Sequence, residues 1–245
     1  MTTFLPFIQQ IKLIQKQCPN LDLTLVVPFY NHRRSKEKAS DIPETKEQIE
    51  QYIAICKKII EALGENIQLE IGNETNVSRK TAAMFRNKLQ YASHVDSIKY
   101  AKFFFEVAKE VKKENPQVRL SIAGIACYDP TYLREVLTEI QKLRKEKGIE
   151  IPLVDTISFH PYRKTPEEGS IEVKHGEFKI TDLDYKSQLE KMQKIASEFG
   201  VHLNVGEINF PLTDPEQKIK LKKALSLTAE KKIVSLIYPA VNVSH

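Results

Sequence analysis

No apolar run in the 245-residue chain approaches the ~20 residues of a bilayer-spanning helix, so a membrane is not expected as a partner. Cysteine is scarce. Cys18, Cys56 and Cys127 are odd in number and lack C-x-x-C spacing, which argues against a disulfide framework or a zinc site and for buried thiols. Only eight glycines are present, and they form no glycine-rich loop. The stretch Val27-Pro28-Phe29-Tyr30-Asn31-His32, after the first strand-like run, contains none, and Phe210–Pro215 contains none either. Dinucleotide and phosphate cradles need such loops. The opening MTTFLPFIQQIKLIQKQ has no basic leading region and no small-residue cleavage site, so it does not read as a signal peptide. The compartment stays open: cytoplasmic for the chain as given, with a secreted parent equally compatible. No composition shift or low-complexity segment divides the chain, and residues 1–245 are expected to form one domain.

What is present is an ordinary globular balance: 41% hydrophobic residues, 28% charged and a formal net charge of +5. The lysines spread along helical segments such as Val107–Asn115 and Lys218–Lys232, as on solvated helix faces. A nucleic-acid partner is therefore not expected. Sequons occur at Asn73, Asn76 and Asn242 and read as coincidental.

Short β-branched or apolar runs recur at Leu23–Tyr30, Ile67–Gly72, Leu120–Cys127, Val154–Phe159, Leu203–Ile208 and Ile233–Tyr238. None contains a lysine, which removes the Schiff-base nucleophile of an aldolase. Between the runs, apolar residues fall at helical spacing. Ile49, Tyr52, Ile53, Cys56, Ile59, Ile60 and Leu63 form one stripe, and Leu133, Val136, Leu137, Ile140 and Leu143 another. Asp129-Pro130 and Asp214-Pro215 are helix-start signals, while Gly64, Gly148 and Gly200 close helical stripes. Strand then helix, repeated, predicts an α/β fold with a parallel sheet covered by helices. Six strands are found, preceded by one helical stripe of Phe4, Phe7, Ile8, Ile11 and Ile14. In an eight-stranded (β/α)8 TIM barrel these would be strands three to eight, an incomplete barrel lacking strands one and two. An open doubly wound sheet is the alternative. Ser170–Ile180 alternates apolar and polar residues about His175-Gly176 and predicts a hairpin.

Catalytic residues of such barrels sit at the C-terminal ends of strands. Those positions hold Asn31 and His32, Asn73 and Glu74, Tyr128 and Asp129, His160 and Tyr162, Glu207 and Asn209, and Asn242. Glu74 and Glu207 occupy equivalent places three strand–helix units apart. Two acids sharing a site push their ionisations apart, which suits one for attack and the other for proton donation.

The segment Leu69-Glu70-Ile71-Gly72-Asn73-Glu74 resembles the fourth-strand motif of clan A glycoside hydrolases, the cellulase-like superfamily of retaining barrel glycosidases. Val205-Gly206-Glu207-Ile208-Asn209-Phe210-Pro211 is similar to their seventh strand, and Asp155-Thr156-Ile157-Ser158-Phe159-His160-Pro161-Tyr162 to their sixth. The likeness runs from about Leu23 to Tyr238. It implies a glycosidase acting on a carbohydrate without a cofactor or metal. Glu207 would be the nucleophile, Glu74 the acid/base and Asn73 the partner of the sugar 2-hydroxyl. Tyr162 would orient Glu207, and His160 would line the same subsite. His32, Tyr128 and Asn209 join the substrate-binding set by position alone. The retaining mechanism implies carboxyl groups about 5 Å apart. Glu70 points away from its neighbours Leu69 and Ile71 and reads as a structural ion-pair partner outside the site.

Departures from the pattern are clear. Thr75 stands where the clan has proline, and the arginine of the second strand has no counterpart. There is no tryptophan to stack against sugar, a role for which Tyr238, Phe210 or Tyr30 are candidates. A barrel without two strands exposes edges at strands three and eight, so a partner fragment supplying strands one and two is considered. Two other functions remain. One is a non-catalytic carbohydrate-binding or vestigial barrel. The other is a metal-dependent hydrolase using His32 and His160, with His202 ahead of its strand at the opposite end.

Overall fold

A computed structural model describes residues 4–29, 42–76, 95–161, 171–174, 177–180, 182–206, 215–230 and 234–235. In chain order the elements are α1 (Phe4–Gln17), β1 (Thr24–Val27), α2 (Lys46–Leu63), β2 (Gln68–Ile71), α3 (Ser97–Glu114), β3 (Arg119–Ala126), α4 (Pro130–Glu146) and β4 (Thr156–His160). There follow β5 (Ile171–Lys174), β6 (Glu177–Ile180), α5 (Tyr185–Phe199), β7 (His202–Val205), α6 (Pro215–Glu230) and β8 (Val234–Ser235). The main sheet has the order β1-β2-β3-β4-β7-β8, and every pairing in it is parallel. The order never reverses, whereas a doubly wound sheet turns back at a switch point. β5 and β6 form the expected antiparallel hairpin, with Lys174 opposite Glu177.

The helices begin where the sequence supplies an acceptor. Thr45 caps α2 in a reciprocal box with Gln48. Asp96, Asp129 and Asp184 accept from the backbone N–H groups of Lys99, Tyr132 and Ser187. Gly200 ends α5 in the left-handed conformation. Gly64 also has a positive φ, but its ψ of 170° takes the chain into an extended exit instead of the expected left-handed cap. The α2 stripe is buried apart from Ile49, which is partly buried, and the α4 stripe apart from Leu143. Of the first stripe, Ile8 and Ile11 are buried while Ile14 is exposed, so α1 buries a narrower face than its spacing suggests. Among the described residues no helix is long and apolar enough to cross a membrane.

Apart from an irregularity in β3, the strands alternate between two faces, and this decides where the chemistry goes. Leu69, Ile71, Leu120, Ile122, Ile157, Phe159, Leu203 and Val205 join the apolar core beneath the helices. Gln68, Glu70, Ser121, Thr156, Ser158, His160 and Asn204 are also buried, and they occupy the opposite face. That face is concave, because side chains of non-neighbouring strands meet across it. Thr156 Oγ1 of β4 donates to Gln68 Oε1 of β2 over β3, at 2.8 Å.

The N-terminal ends are tied by Asp155. Its carboxylate accepts from the Lys112 ammonium at 2.7 Å and from Leu120 N–H at 2.7 Å. Its own N–H donates to Leu120 O, and its C=O accepts from His202 N–H. One residue thus links α3, β3, β4 and β7. Lys112 is 5% exposed, so removing this partner would leave a buried ammonium uncompensated. Asp155→Ala is expected to cost about 3 kcal/mol in urea unfolding at neutral pH. A loss below about 1 kcal/mol, the scale of a surface pair, would contradict that role.

The three cysteines differ in access. Cys56 is fully buried, and burial pushes its thiol up to about 12. Cys127 is also buried, but it lies just past the end of β3 instead of within the strand as expected, and Cys18 is exposed. A thiol reagent should therefore label Cys18 quickly in the native protein and all three residues only in denaturant, as read by mass spectrometry. Fast native labelling of Cys56 would refute the packing described.

Candidate active site

The segment leaving β2 is built to hold one carboxylate. Gly72 has φ +90°, and a Cβ there would lie 2.7 Å from the Phe29 ring, so only glycine fits. Its N–H donates to Val27 O at 2.9 Å and to the Tyr52 hydroxyl at 3.2 Å. Glu74 then adopts a left-handed backbone with φ +47°, a conformation uncommon for a non-glycine residue and costly by about 1–3 kcal/mol. The surroundings hold it there. Glu74 N–H donates to Gly124 O at 3.0 Å, and Thr75 Oγ1 accepts from the Tyr132 hydroxyl at 3.0 Å. The Asn76 side chain donates to Ala126 O and accepts from Ala126 N–H, both at 3.0 Å, and its amide also lies 3.3 Å from Asp129 Oδ2. Thr75, which replaces the expected proline, thus offers a hydroxyl that proline lacks. Asn76 is fully buried with its amide engaged, which is incompatible with glycosylation in the folded chain.

Gly124 belongs to an irregularity in β3, where the register to β4 shifts between Ile122 and Ile125. A bulge leaves backbone groups without ladder partners, and here side chains take them. Ala123 N–H donates to the Tyr100 hydroxyl at 2.6 Å, and Gly124 N–H donates to Glu70 Oε1 at 2.9 Å. Burial pushes the Tyr100 hydroxyl well up, so it keeps its proton and donates onward to Ile71 O at 2.7 Å.

His160 ends β4 and meets two glutamates, Glu70 within β2 and Glu74 in the segment that leaves it. Its Nδ1 lies 3.2 Å from Glu74 Oε1, and its Nε2 lies 3.8 Å from Glu70 Oε1 and 3.5 Å from Ser158 Oγ. Glycines on both flanking strands make room for the ring. A Cβ on Gly124 would stand 2.1 Å from Nε2, and one on Gly206 would stand 2.1 Å from Ser158 Oγ and 3.0 Å from Nε2.

Of the residues singled out from sequence, the structure brings Glu74 and His160 into contact at the C-terminal end of the sheet. Asn73 is half-buried beside Glu74. Tyr128 lies after β3, and its side chain belongs to the apolar core. His32, Tyr162, Glu207 and Asn209 lie outside the described residues, and with them the Glu74–Glu207 separation and the Tyr162–Glu207 contact. His202 is the first residue of β7 instead of preceding it, at the end far from Glu74 as expected. There it borders a cavity of about 390 Å³ with Asp22, Gln68, Arg119, Thr156 and Asn204. In barrel enzymes that N-terminal end does not carry the chemistry. Among the described residues no group of three or more His, Cys, Asp or Glu is arranged to hold a metal ion.

Sequence reasoning set Glu70 outside the site as a structural ion-pair partner, and it missed Asn76, Gly124 and Gly206. A glycine inside a strand-like run signals a bulge or a close approach, and Gly124 is both. Gly124→Ala is expected to displace His160 and lower stability by about 1–3 kcal/mol in chemical denaturation. A neutral outcome would show that the ring is not clamped between the two strands.

No family model matches the chain, and no curated protein matches it. Solved structures do. A GH39 enzyme from Xanthomonas axonopodis pv. citri is similar with a TM-score of 0.57 and 13% identity, over 87% of this chain and 43% of that one. A monomeric β-xylosidase from Caulobacter crescentus CB15 is similar with a TM-score of 0.56 and 13% identity, over 87% and 44%. The β-mannanase of Thermomonospora fusca, as its mannohexaose complex, is similar with a TM-score of 0.52 and 12% identity, over 98% and 64%. The chain thus spans less than two thirds of each of these structures. The likeness establishes the fold: a parallel α/β sheet of the kind found in TIM-barrel glycoside hydrolases.

Proposed function

We propose that the chain is the larger part of a retaining glycoside hydrolase, with Glu74 as acid/base and Glu207 as nucleophile. The observation that supports it most is the placement of Glu74. It is buried at the C-terminal end of a parallel strand, held in a costly backbone conformation, with its carboxylate against His160. Glu207 directly follows Gly206 in the sequence, and a Cβ on Gly206 would stand 2.1 Å from Ser158 Oγ and 3.0 Å from His160 Nε2.

In the first step the Glu207 carboxylate would attack the anomeric carbon while Glu74 passes its proton to the departing glycosidic oxygen. In the second, Glu74 would take a proton from the water that displaces Glu207, and the sugar leaves with its original anomeric configuration. Asn73 would hold the 2-hydroxyl and Tyr162 would orient Glu207. His32, Tyr128 and Asn209 would complete the sugar subsites. The substrate is a carbohydrate, as it is for the mannohexaose-bound β-mannanase.

The six strands of the main sheet would be strands three to eight of the barrel, the first two coming from another segment or a partner fragment. In support, β1 pairs only with β2 among the described residues, and Val26 on its concave side is 44% exposed. A second reading, a carbohydrate-binding barrel without turnover, rests on the same open edge.

Aryl glycosides with good and poor leaving groups separate these readings, assayed with and without a fragment carrying the first two strands. Glu207→Gln should abolish turnover. Glu74→Gln should slow poor leaving groups by about 10²-fold or more and activated ones far less. Equal losses on both substrates would remove Glu74 from the acid role, and binding without turnover under every condition would favour the second reading.

A further inference from the structure

Glu70 has no part in either cleavage step, yet it occupies the middle of the concave face and is 1% exposed. Its Oε1 accepts the Gly124 N–H at 2.9 Å and lies 3.8 Å from His160 Nε2. The other ring nitrogen, Nδ1, lies 3.2 Å from Glu74 Oε1. One imidazole therefore stands between two carboxylates four residues apart in sequence, one within β2 and one just beyond its end.

The other described neighbours of the ring are uncharged. β4 itself contributes Ser158, 3.5 Å from Nε2. Gly124 of β3 and Gly206, just past β7, face the ring, where any side chain would collide with it or with Ser158. The charged groups facing His160 among the described residues are Glu70 and Glu74.

A carboxylate within about 4–6 Å of an imidazole favours a proton on it. We infer that Glu70 is a positioning residue acting through His160: its charge keeps Nε2 protonated, which leaves Nδ1 to share a single proton with the Glu74 carboxyl. Two forms of the pair then exchange. In one, Glu74 carries the proton and its O–H donates to Nδ1. In the other, the proton is on Nδ1, the ring is cationic between two carboxylates, and Glu74 is ionised. The proton count is the same in both, and only an N–H bond is exchanged for an O–H bond. This rests on the acid/base reading of Glu74, whose proton would thereby be buffered by the ring as it is given up and regained.

The substitution Glu70→Gln isolates the charge. The amide oxygen still accepts Gly124 N–H, so the bulge keeps its partner while the negative charge is lost. With ¹⁵N-labelled histidine, NMR of the whole chain reports the protonation of each ring nitrogen, and His160→Gln identifies the signal among the six histidines. The expected wild-type result is a proton held on Nε2 from about pH 5 to 8, the range in which imidazoles titrate. In Glu70→Gln, the His160 titration should move down by about one unit or more, a tenfold change. A wild-type ring with Nε2 bare and Nδ1 protonated overturns the inference without any variant. So does an unmoved His160 titration in Glu70→Gln, which would make Glu70 merely a partner for the bulge.

The spectra do not depend on turnover, so they test the coupling even if no glycoside is cleaved. Conversely, a chain whose cleavage needs Glu74 but whose His160 ignores Glu70 keeps the hydrolase reading and loses this one.

Discussion

The arrangement around Glu74 depends on one backbone irregularity, the bulge at Ala123 and Gly124 in β3. A regular strand would spend both amide groups on its neighbours. The shifted register frees them, and each is taken by a buried side chain, Tyr100 from the helix side and Glu70 from the concave side. Gly124 also accepts from Glu74 N–H through its carbonyl. A buried amide or carbonyl without a partner costs about 1–3 kcal/mol, so these bonds are coupled to the fold itself. The bulge thereby fixes Glu70 and the Glu74 main chain together. Since Gly124 has no side chain, it also admits the His160 ring between them.

That local device sits on a sheet whose two faces have opposite character. The interior of a (β/α)8 barrel is commonly filled by branched apolar side chains. Here the helix-facing residues carry the apolar core, and the concave face is lined with amide, hydroxyl, carboxylate and imidazole groups. Polar groups removed from water need partners, and the face satisfies them pairwise across strands: Gln68 with Thr24 and Thr156, Glu70 with Gly124, His160 with Glu74. Two of these contacts, Gln68 with Thr156 and His160 with Glu74, bridge strands that are not neighbours in the sheet, so they favour curvature as well as satisfying hydrogen bonds.

How much of this the sequence disclosed follows from which interactions are local. The strand–helix alternation, the Asp129-Pro130 start and the hairpin are each written within a few residues, and each was legible. Glu74 and His160 were legible because a strand end is a position that can be counted. Glu70 was seen to point away from the core, but its partner lies 54 residues away in a bulge that no local spacing reveals. Asn76 pairs with Ala126 across 50 residues and looked like a coincidental sequon. The burial of Ile14 failed for a related reason: helical spacing marks a face but does not say how wide the surface opposite it is.

Cys127 shows why the strained backbone at Glu74 is stable. It too is left-handed, with φ +58°, and its N–H donates to His160 O at 2.9 Å. Among the described residues, the two with positive φ that are not glycine therefore hold the same histidine, Glu74 at the ring and Cys127 at the main chain. Each such conformation costs about 1–3 kcal/mol and persists only where its surroundings over-determine it. At Glu74 those surroundings are the Gly124 carbonyl and the Asn76 clamp on Ala126. Cys127 is next in the chain after that clamped residue, so the bonds that hold the first strained turn also restrain the second. Strain on both sides of one side chain is consistent with a histidine held in a fixed pose.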